Sequence, residues 1–234
     1  MLTWIAALAI VGGNAIASPV REAVVQVGHC SGTLVAADVV LTSAHCLDGP
    51  IDQIVVGERV ARVVRCERHP AYQPGQPAHD IGYCRLAEAL PGAIAVDDGP
   101  DPAIGTTVSL AGFGVSDPLS TQARTLRMIT TSVAAVQPDR LDVGSATATA
   151  CRGDSGGPML IDRGDGLRVA GVIHGATGAI CASATEVVPV SAHREWLSHA
   201  LATSNTRLSR MVLAALLAFG GLVASLLWRR RRLR

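Results

Sequence analysis

The sequence contains no lysine, so all 20 of its basic residues are arginines. These arginines are scattered until the last few residues, which favours a bias in coding composition over a phosphate-binding surface. Aromatic residues make up only 3% of the 234 residues. There is no long heptad pattern and no internal repeat, which argues against a coiled coil or a repeat array. Short apolar runs are instead separated by Gly and Pro, a pattern typical of an all-β fold.

The formal net charge of +1 hides an uneven distribution of charge. Residues 18–209 contain 14 arginines and 19 acidic residues, a net charge of −5, and the six arginines of residues 210–234 add +6. A mildly acidic body with a basic end argues against nucleic acid as a partner.

The six cysteines include no C-x-x-C pair. An even number of cysteines fits three disulfides formed in an oxidising compartment, although spacing alone leaves their pairing open. The missing C-x-x-C pair makes a cysteine-bound metal a weak alternative. We therefore expect neither a metal nor another cofactor.

The most informative stretch is residues 151–158, which read CRGDSGGP and surround Ser155 with glycines. A backbone without Cβ atoms at these positions can turn successive N–H groups towards one point and leave the hydroxyl exposed beside them. Acyl transfer needs such an arrangement, because negative charge develops on the carbonyl oxygen in the transition state. The alternative is an ordinary glycine-rich turn, which would not require a base and an acid elsewhere in the chain.

Both groups are present upstream of the serine. The run LTSAHC at residues 41–46 contains His45, and HDIGYC at 79–84 places Asp80 at the start of a predicted strand. The order His45, Asp80, Ser155, in these local contexts, resembles the chymotrypsin-like (trypsin-fold) serine proteases. The resemblance covers about residues 24–201. It implies two six-stranded antiparallel Greek-key barrels, a closing helix near residues 191–201, and an active site between the barrels.

The resemblance also implies the chemistry. Ser155 is the expected nucleophile, His45 the general base and Asp80 the group that orients His45, while the N–H groups of Gly153 and Ser155 form the oxyanion hole. The implied activity is that of a serine endopeptidase acting on proteins or peptides. The alternative is an inactive homologue that keeps the fold and binds protein chains. The sequence leaves the oligomeric state open.

Two disulfides follow from the same resemblance. It pairs Cys30 with Cys46 beside the histidine, and Cys151 with Cys181 beside the serine, which leaves Cys66 and Cys84 to pair with each other. Five further histidines are interpreted as surface or structural residues: His29, His69, His79, His193 and His199.

The primary specificity pocket is expected to involve Thr149, His174 and Ala176. Thr149 stands where an aspartate would select Arg or Lys, so trypsin-like selectivity is not expected. We expect a small or medium apolar side chain first, and an acidic one, met by His174 and Arg152, as the alternative. His174 replaces the serine usual in the family, a departure that should affect the hydrogen bonds of Asp80.

The N-terminus has two interpretations. Residues 1–17 resemble a short secretory signal peptide that is removed before Ser18. Alternatively, Ile10-Val11-Gly12-Gly13 resembles the activation sequence of the family, at which cleavage frees an isoleucine amine that pairs with Asp154. If the signal interpretation holds, Asp154 lacks that partner.

The C-terminus predicts a membrane anchor. After the protease domain at 18–201 and a polar linker at 202–210, residues 211–228 are 18 uncharged residues, followed by a basic tail at 229–234. This length is at the lower end of what spans a bilayer, and the arginines predict a cytoplasmic tail with the protease on the other side. A buried helix and a sorting signal that is later removed remain alternatives.

Overall fold

The computed structural model describes residues 14–16, 19–115, 125–176, 181 and 183–202. The Ile10 motif and most of the predicted signal peptide lie outside the described residues. So do the predicted transmembrane helix, the basic tail and all of the linker except its first residue. No helix within the described ranges is long and apolar enough to cross a membrane.

Six antiparallel strands close into a first barrel, in the order β2-β3-β4-β7-β6-β5. A strand β1 (Asn14–Ala15) precedes it in the chain. The barrel strands are β2 (Val24–Val27), β3 (Cys30–Ala36), β4 (Val39–Thr42), β5 (Gln53–Val56), β6 (Arg59–Arg68) and β7 (Gly82–Leu86). Because β5 returns to pair with β2, the first four strands have the Greek-key arrangement.

Six further strands form the second barrel. They are β8 (Thr107–Gly112), β9 (Arg127–Val136), β10 (Leu141–Val143), β11 (Pro158–Asp162), β12 (Leu167–Ala176) and β13 (Thr185–Pro189). The order is β9-β10-β13-β12-β11-β8, and pairing of β8 with β9 closes it, while β1 adds to the outside of β9. The prediction of an all-β fold with two six-stranded barrels is confirmed.

Within the described residues, helical structure is confined to short segments. A helix α1 (Val20–Ala23) precedes β2, and 3-10 helices cover Ala44–Leu47 and Val190–His193. The second 3-10 helix continues into an α-helix at 194–202, which is the predicted closing helix.

Three apolar clusters hold the barrels together. One fills the first barrel and another fills the second, while the largest lies between them and includes Leu41, Val172 and Leu197 of the closing helix. Fully burying such a side chain contributes roughly 1.5–3 kcal/mol. The strands that line these clusters are rich in Val, Ile and Leu, because β-branched and apolar side chains pack well on a pleated, buried surface.

A buried arginine joins the closing helix to the first barrel. Arg85 is 2% exposed, and its Nη1 lies 2.9 Å from Asp38 Oδ2. Its Nη2 donates to the carbonyl oxygen of Ala200 at 2.6 Å. A buried charge is stable only when it is paired and hydrogen-bonded, so the two contacts explain how β7 carries an arginine in an otherwise apolar interior.

The two disulfides that the family resemblance implies are present, and so is the third, which was inferred by elimination. Cys30–Cys46 joins β3 to the 3-10 helix that carries His45, and Cys151–Cys181 lies beside the loop that carries Ser155. Cys66–Cys84 connects the neighbouring strands β6 and β7.

Candidate active site

The three predicted catalytic side chains come from both barrels. His45 lies in the 3-10 helix that follows β4, and Asp80 lies in the loop that leads into β7. Ser155 lies in the turn before β11 of the second barrel. The site therefore lies at the junction of the two barrels, where side chains distant in sequence meet.

A buried carboxylate fixes the histidine. Asp80 is 0% exposed, and its Oδ2 lies 2.6 Å from Nδ1 of His45. Its Oδ1 accepts the backbone N–H of His45 at 2.8 Å. Burial raises the pKa of Asp80, but hydrogen bonds from His174 and His45 outweigh burial and lower the pKa from 3.8 to about 2. Asp80 is therefore ionised throughout the neutral and mildly acidic range.

A second imidazole binds the same carboxylate oxygen. Nδ1 of His174 lies 2.5 Å from Oδ2 of Asp80, and the rings of His45 and His174 meet edge to face with centroids 5.7 Å apart. Because an ionised carboxylate only accepts hydrogen bonds, both Nδ1 atoms are assigned as donors. On the far side of the ring, Nε2 of His174 lies 3.8 Å from Oε2 of Glu186. His174 thus affects the hydrogen bonds of Asp80, as expected.

The serine hydroxyl is next to this pair of histidines. Oγ of Ser155 donates to the carbonyl oxygen of His174 at 3.1 Å. Among the described residues, no hydrogen bond joins that Oγ to His45. The hydroxyl is therefore bonded to the backbone of His174, and it must leave this carbonyl oxygen to give its proton to His45.

Two backbone N–H groups beside the serine point to no protein acceptor. Within the described part of the chain, the N–H groups of Gly153 and Ser155 make no hydrogen bond, whereas those of Asp154, Gly156 and Gly157 donate to carbonyl oxygens at 3.0, 2.7 and 2.8 Å. Gly153 has a φ of +94°, a conformation that only glycine adopts without strain. Two unused donors beside a hydroxyl suit a developing oxyanion.

Asp154 holds the serine loop in this conformation. It is fully buried, and its carboxylate accepts the N–H groups of Cys151 at 2.8 Å and Gly114 at 2.7 Å. Oγ of Ser31, which sequence reasoning did not identify, donates to the carbonyl oxygen of Gly153 at 2.7 Å. The loop is thus fixed from both barrels before any substrate binds.

The chain matches the model of a known protein family. The Trypsin model matches residues 10–197 of the chain. The chain belongs to the trypsin family. It is a serine-type endopeptidase, a hydrolase of peptide bonds in proteins or peptides.

Individual relatives of this trypsin-family chain come from bacteria and animals. A trypsin of Saccharopolyspora erythraea is 29% identical over 160 residues, which cover 57% of this chain and 70% of the relative. Granzyme B of Homo sapiens is 29% identical over 167 residues, or 58% of this chain and 66% of the relative. The structure of neuropsin, a serine protease of mouse brain, has a TM-score of 0.70 at 19% identity and covers 81% of this chain and 98% of its own. The neuropsin likeness supports the fold.

A small cavity lies beside the serine of this trypsin-family site. Its volume is about 130 Å3. It is lined by Ala150, Cys151, Arg152, Ser155, Ile173, Gly175, Ala176 and Cys181. Of the three predicted pocket residues, Ala176 lines the cavity. The side chain of His174 binds Asp80 instead, and Thr149 is fully buried with its hydroxyl 2.9 Å from that of Thr185.

The active-site cluster of His45, Asp80 and His174 also contains potential metal ligands. Its N–O distances of 2.6 and 2.5 Å are those of hydrogen bonds. A metal held between two such atoms would need bonds of about 2 Å to each of them, so it would have to push them apart. The cluster therefore fits proton transfer better than metal binding.

Proposed function

We propose that the protein is an extracytoplasmic, membrane-tethered serine endopeptidase in which Ser155, His45 and Asp80 form the catalytic triad. The observation that carries the proposal is the buried Asp80 carboxylate, bonded to both the ring and the backbone of His45 at 2.6 and 2.8 Å. Such a carboxylate fixes the tautomer of His45 and leaves Nε2 free to accept a proton.

In the proposed reaction, Oγ of Ser155 bonds to the carbonyl carbon of the substrate while its proton passes to Nε2 of His45. Asp80 stabilises the imidazolium that forms. The oxyanion accepts hydrogen bonds from the N–H groups of Gly153 and Ser155. In comparable sites each such bond stabilises the transition state by about 3 kcal/mol. His45 then protonates the leaving amine, and the C–N bond breaks to give an ester of Ser155. A water molecule then attacks this ester by the same steps. The carboxylic acid product is released and the Ser155 hydroxyl is restored.

A fluorophosphonate probe tests the proposal directly. The probe phosphonylates only a serine that is activated by a base, so we expect one adduct on Ser155 in the folded protein, located by mass spectrometry of its peptides. Denatured protein is the control and should not react. An unlabelled Ser155 in the folded protein would favour the alternative of an inactive module that binds protein chains.

His174 is proposed to be a positioning residue. His174→Ala removes a hydrogen bond to the ionised Asp80, and such bonds contribute about 1.5–3 kcal/mol, so kcat should fall by about 10-fold or more. His174→Ser should restore most of the rate, because a hydroxyl can donate to the same oxygen. Glu186→Gln is the control, since it leaves the Asp80 contact intact. Equal kcat values for wild type and His174→Ala, measured on one peptide substrate, would contradict this role.

The proposed substrate has a small apolar side chain before the scissile bond. Ala150, Ile173 and Ala176 supply apolar lining, and the hydroxyl of Thr149 is already bonded to Thr185. In a panel of peptide anilides, kcat/KM for alanine or valine should exceed that for arginine by about 100-fold, because no acid lines the described cavity. A panel led by arginine would contradict the proposal, and one led by glutamate would support the acidic alternative with Arg152.

The mature chain is proposed to begin at Ile10. β1 pairs with Met128 and Arg127 of β9, and Ile16 is buried at 6% exposure in the cluster between the barrels. Cleavage before Ser18 would remove these contacts, and the family match begins at residue 10. N-terminal sequencing of the mature protein distinguishes Ile10 from Ser18.

The membrane tether rests on the 18 uncharged residues at 211–228 and the arginines that follow. The full chain should remain with membranes after carbonate extraction, whereas a chain ending at residue 202 should be released. Release of the full chain would leave a secreted protease without an anchor.

A further inference from the structure

Three histidines that the proposed mechanism does not use lie together behind the active site. His69 follows β6, His79 directly precedes Asp80, and His193 ends the 3-10 helix before the closing helix. Their ring centroids are 4.7 Å apart for His69 and His79, 4.9 Å for His69 and His193, and 5.2 Å for His79 and His193. Sequence analysis interpreted all three as surface or structural residues.

Two of these rings contain a buried nitrogen without a partner. Nδ1 of His79 and Nδ1 of His193 are inaccessible to solvent and make no hydrogen bond, and His193 is only 5% exposed. Buried polar atoms are nearly always hydrogen-bonded, so each exception requires an explanation. A bound cation would use the lone pairs of these nitrogens.

Burial favours the neutral form of two of the three imidazoles. Burial, followed by the nearby His69 and His79, lowers the pKa of His193 to about 4. Burial and then His79 also lower the pKa of His69. These two imidazoles are therefore neutral at neutral pH, the form in which histidine binds metals.

We propose that His69, His79 and His193 bind a divalent transition-metal ion of the zinc class. One nitrogen from each ring lies within 4.8 Å of the others. Tetrahedral zinc has Zn–N bonds of about 2.0–2.1 Å, which places its nitrogen ligands about 3.4 Å apart, so the rings close slightly on binding. Three imidazoles suit zinc and its neighbours, whereas calcium and magnesium require oxygen ligands.

His69 is the ring that moves. It is half-buried and stacks on His79 with an interplanar angle of 8°, so the lone pairs of the two rings do not yet converge. Its Nδ1 accepts the N–H of Ala71 at 3.2 Å, an exposed contact that water can replace. Coordination through Nε2 places the proton on Nδ1 and breaks this contact. Since the ligands must reorganise, we expect micromolar rather than nanomolar affinity.

His69 and His193 line a cavity of about 340 Å3, which Glu195 and Trp196 also line. Water or the Glu195 carboxylate can complete the tetrahedron there. His79 has a φ of +63°, its carbonyl oxygen accepts the N–H of Ile81 at 2.7 Å, and Asp80 lies between the two. The ion would thus bind to the segment that carries Asp80 without using the active-site side chains.

The test uses the full chain after treatment with a chelator. Titration with Co2+ should give the visible absorption of a tetrahedral site at one equivalent, and Zn2+ should displace it and raise Tm. His79→Asn keeps a residue that tolerates positive φ but removes one ligand, so affinity should fall by about 100-fold. His69→Asn, at a more exposed position, should lower the affinity by a similar factor. His29 is an exposed histidine outside the cluster, so His29→Asn should bind the ion as the wild type does.

Two results would overturn the proposal. One is the absence of Co2+ and Zn2+ binding to folded wild-type protein, which would leave the cluster as a packing feature. The other is binding that survives His69→Asn and His79→Asn but is lost in His45→Gln, which would place the ion in the active site. Ion binding is measured by absorption and Tm rather than by activity, so this test is independent of the proposed triad.

Discussion

Ser155→Ala is expected to lower kcat by about 10^6-fold while KM changes little. The substitution removes the hydroxyl of the residue whose own N–H group, with that of Gly153, is proposed to bind the oxyanion. Substrate binding depends on the cavity and on backbone contacts, which the substitution leaves in place. Steady-state kinetics on an alanine anilide peptide provide the measurement.

Ser109→Ala is the matched control for this prediction. Ser109 lies on β8, and its hydroxyl is 3.2 Å from that of Thr130, remote from the chemistry. It should retain the wild-type rate. If Ser155→Ala also retained it, Ser155 would not be the nucleophile, and the proposed mechanism would be wrong.

Asp80→Asn should lower kcat by about 10^4-fold. Three N–H groups surround the carboxylate: the backbone N–H of His45 and the Nδ1 atoms of His45 and His174. The amide of asparagine has only one acceptor oxygen, so in either orientation its NH2 group meets a donor. At least one histidine then loses its tautomer or its position. Asp142→Asn, on β10, is the control and should leave kcat unchanged.

The same substitution should change the acid stability of the protein. The folded pKa of Asp80 is about 2, below its usual value of 3.8. Ionised Asp80 therefore stabilises the fold above pH 4, and this contribution is lost as the pH falls from about 4 to 2. Asp80→Asn removes about 2 kcal/mol of this pH-dependent stability, so acid unfolding monitored by circular dichroism should show a shallower slope. An unaltered slope would mean that the carboxylate is not held ionised by the two histidines.

The sequence was sufficient to select the residues of the proposed triad but not to describe their surroundings. His45, Asp80 and Ser155 each lie in a short motif, and the disulfide cysteines lie beside them, so local patterns together with the family resemblance were sufficient. The contact between His174 and Glu186 depends on the pairing of β12 with β13, whose register shifts between Ile173 and Gly175. A shift of this kind exchanges the faces of the strand and has no signature in a single sequence.

The histidine cluster was missed for a related reason. His79 and His193 are separated by more than a hundred residues, and the one pair with a metal-ligand spacing, His193 and His199, includes neither His69 nor His79. The docking of the closing helix brings His193 to the other two rings. The surroundings of Thr149 were missed for the same reason. Its hydroxyl bonds to that of Thr185, which lies 36 positions along the chain.

The contacts of Arg85 with Asp38 and Ala200 have a mechanical consequence for the proposed tether. Arg85 donates a hydrogen bond to the carbonyl oxygen of Ala200. A force on the chain beyond residue 202 is therefore transmitted to the first barrel instead of unfolding only the closing helix. The contact between Arg85 and Ala200 also sets the shortest fragment that should be expressed. A chain cut before Ala200 would remove one acceptor of the buried Arg85 guanidinium, whereas one cut after residue 202 retains both contacts.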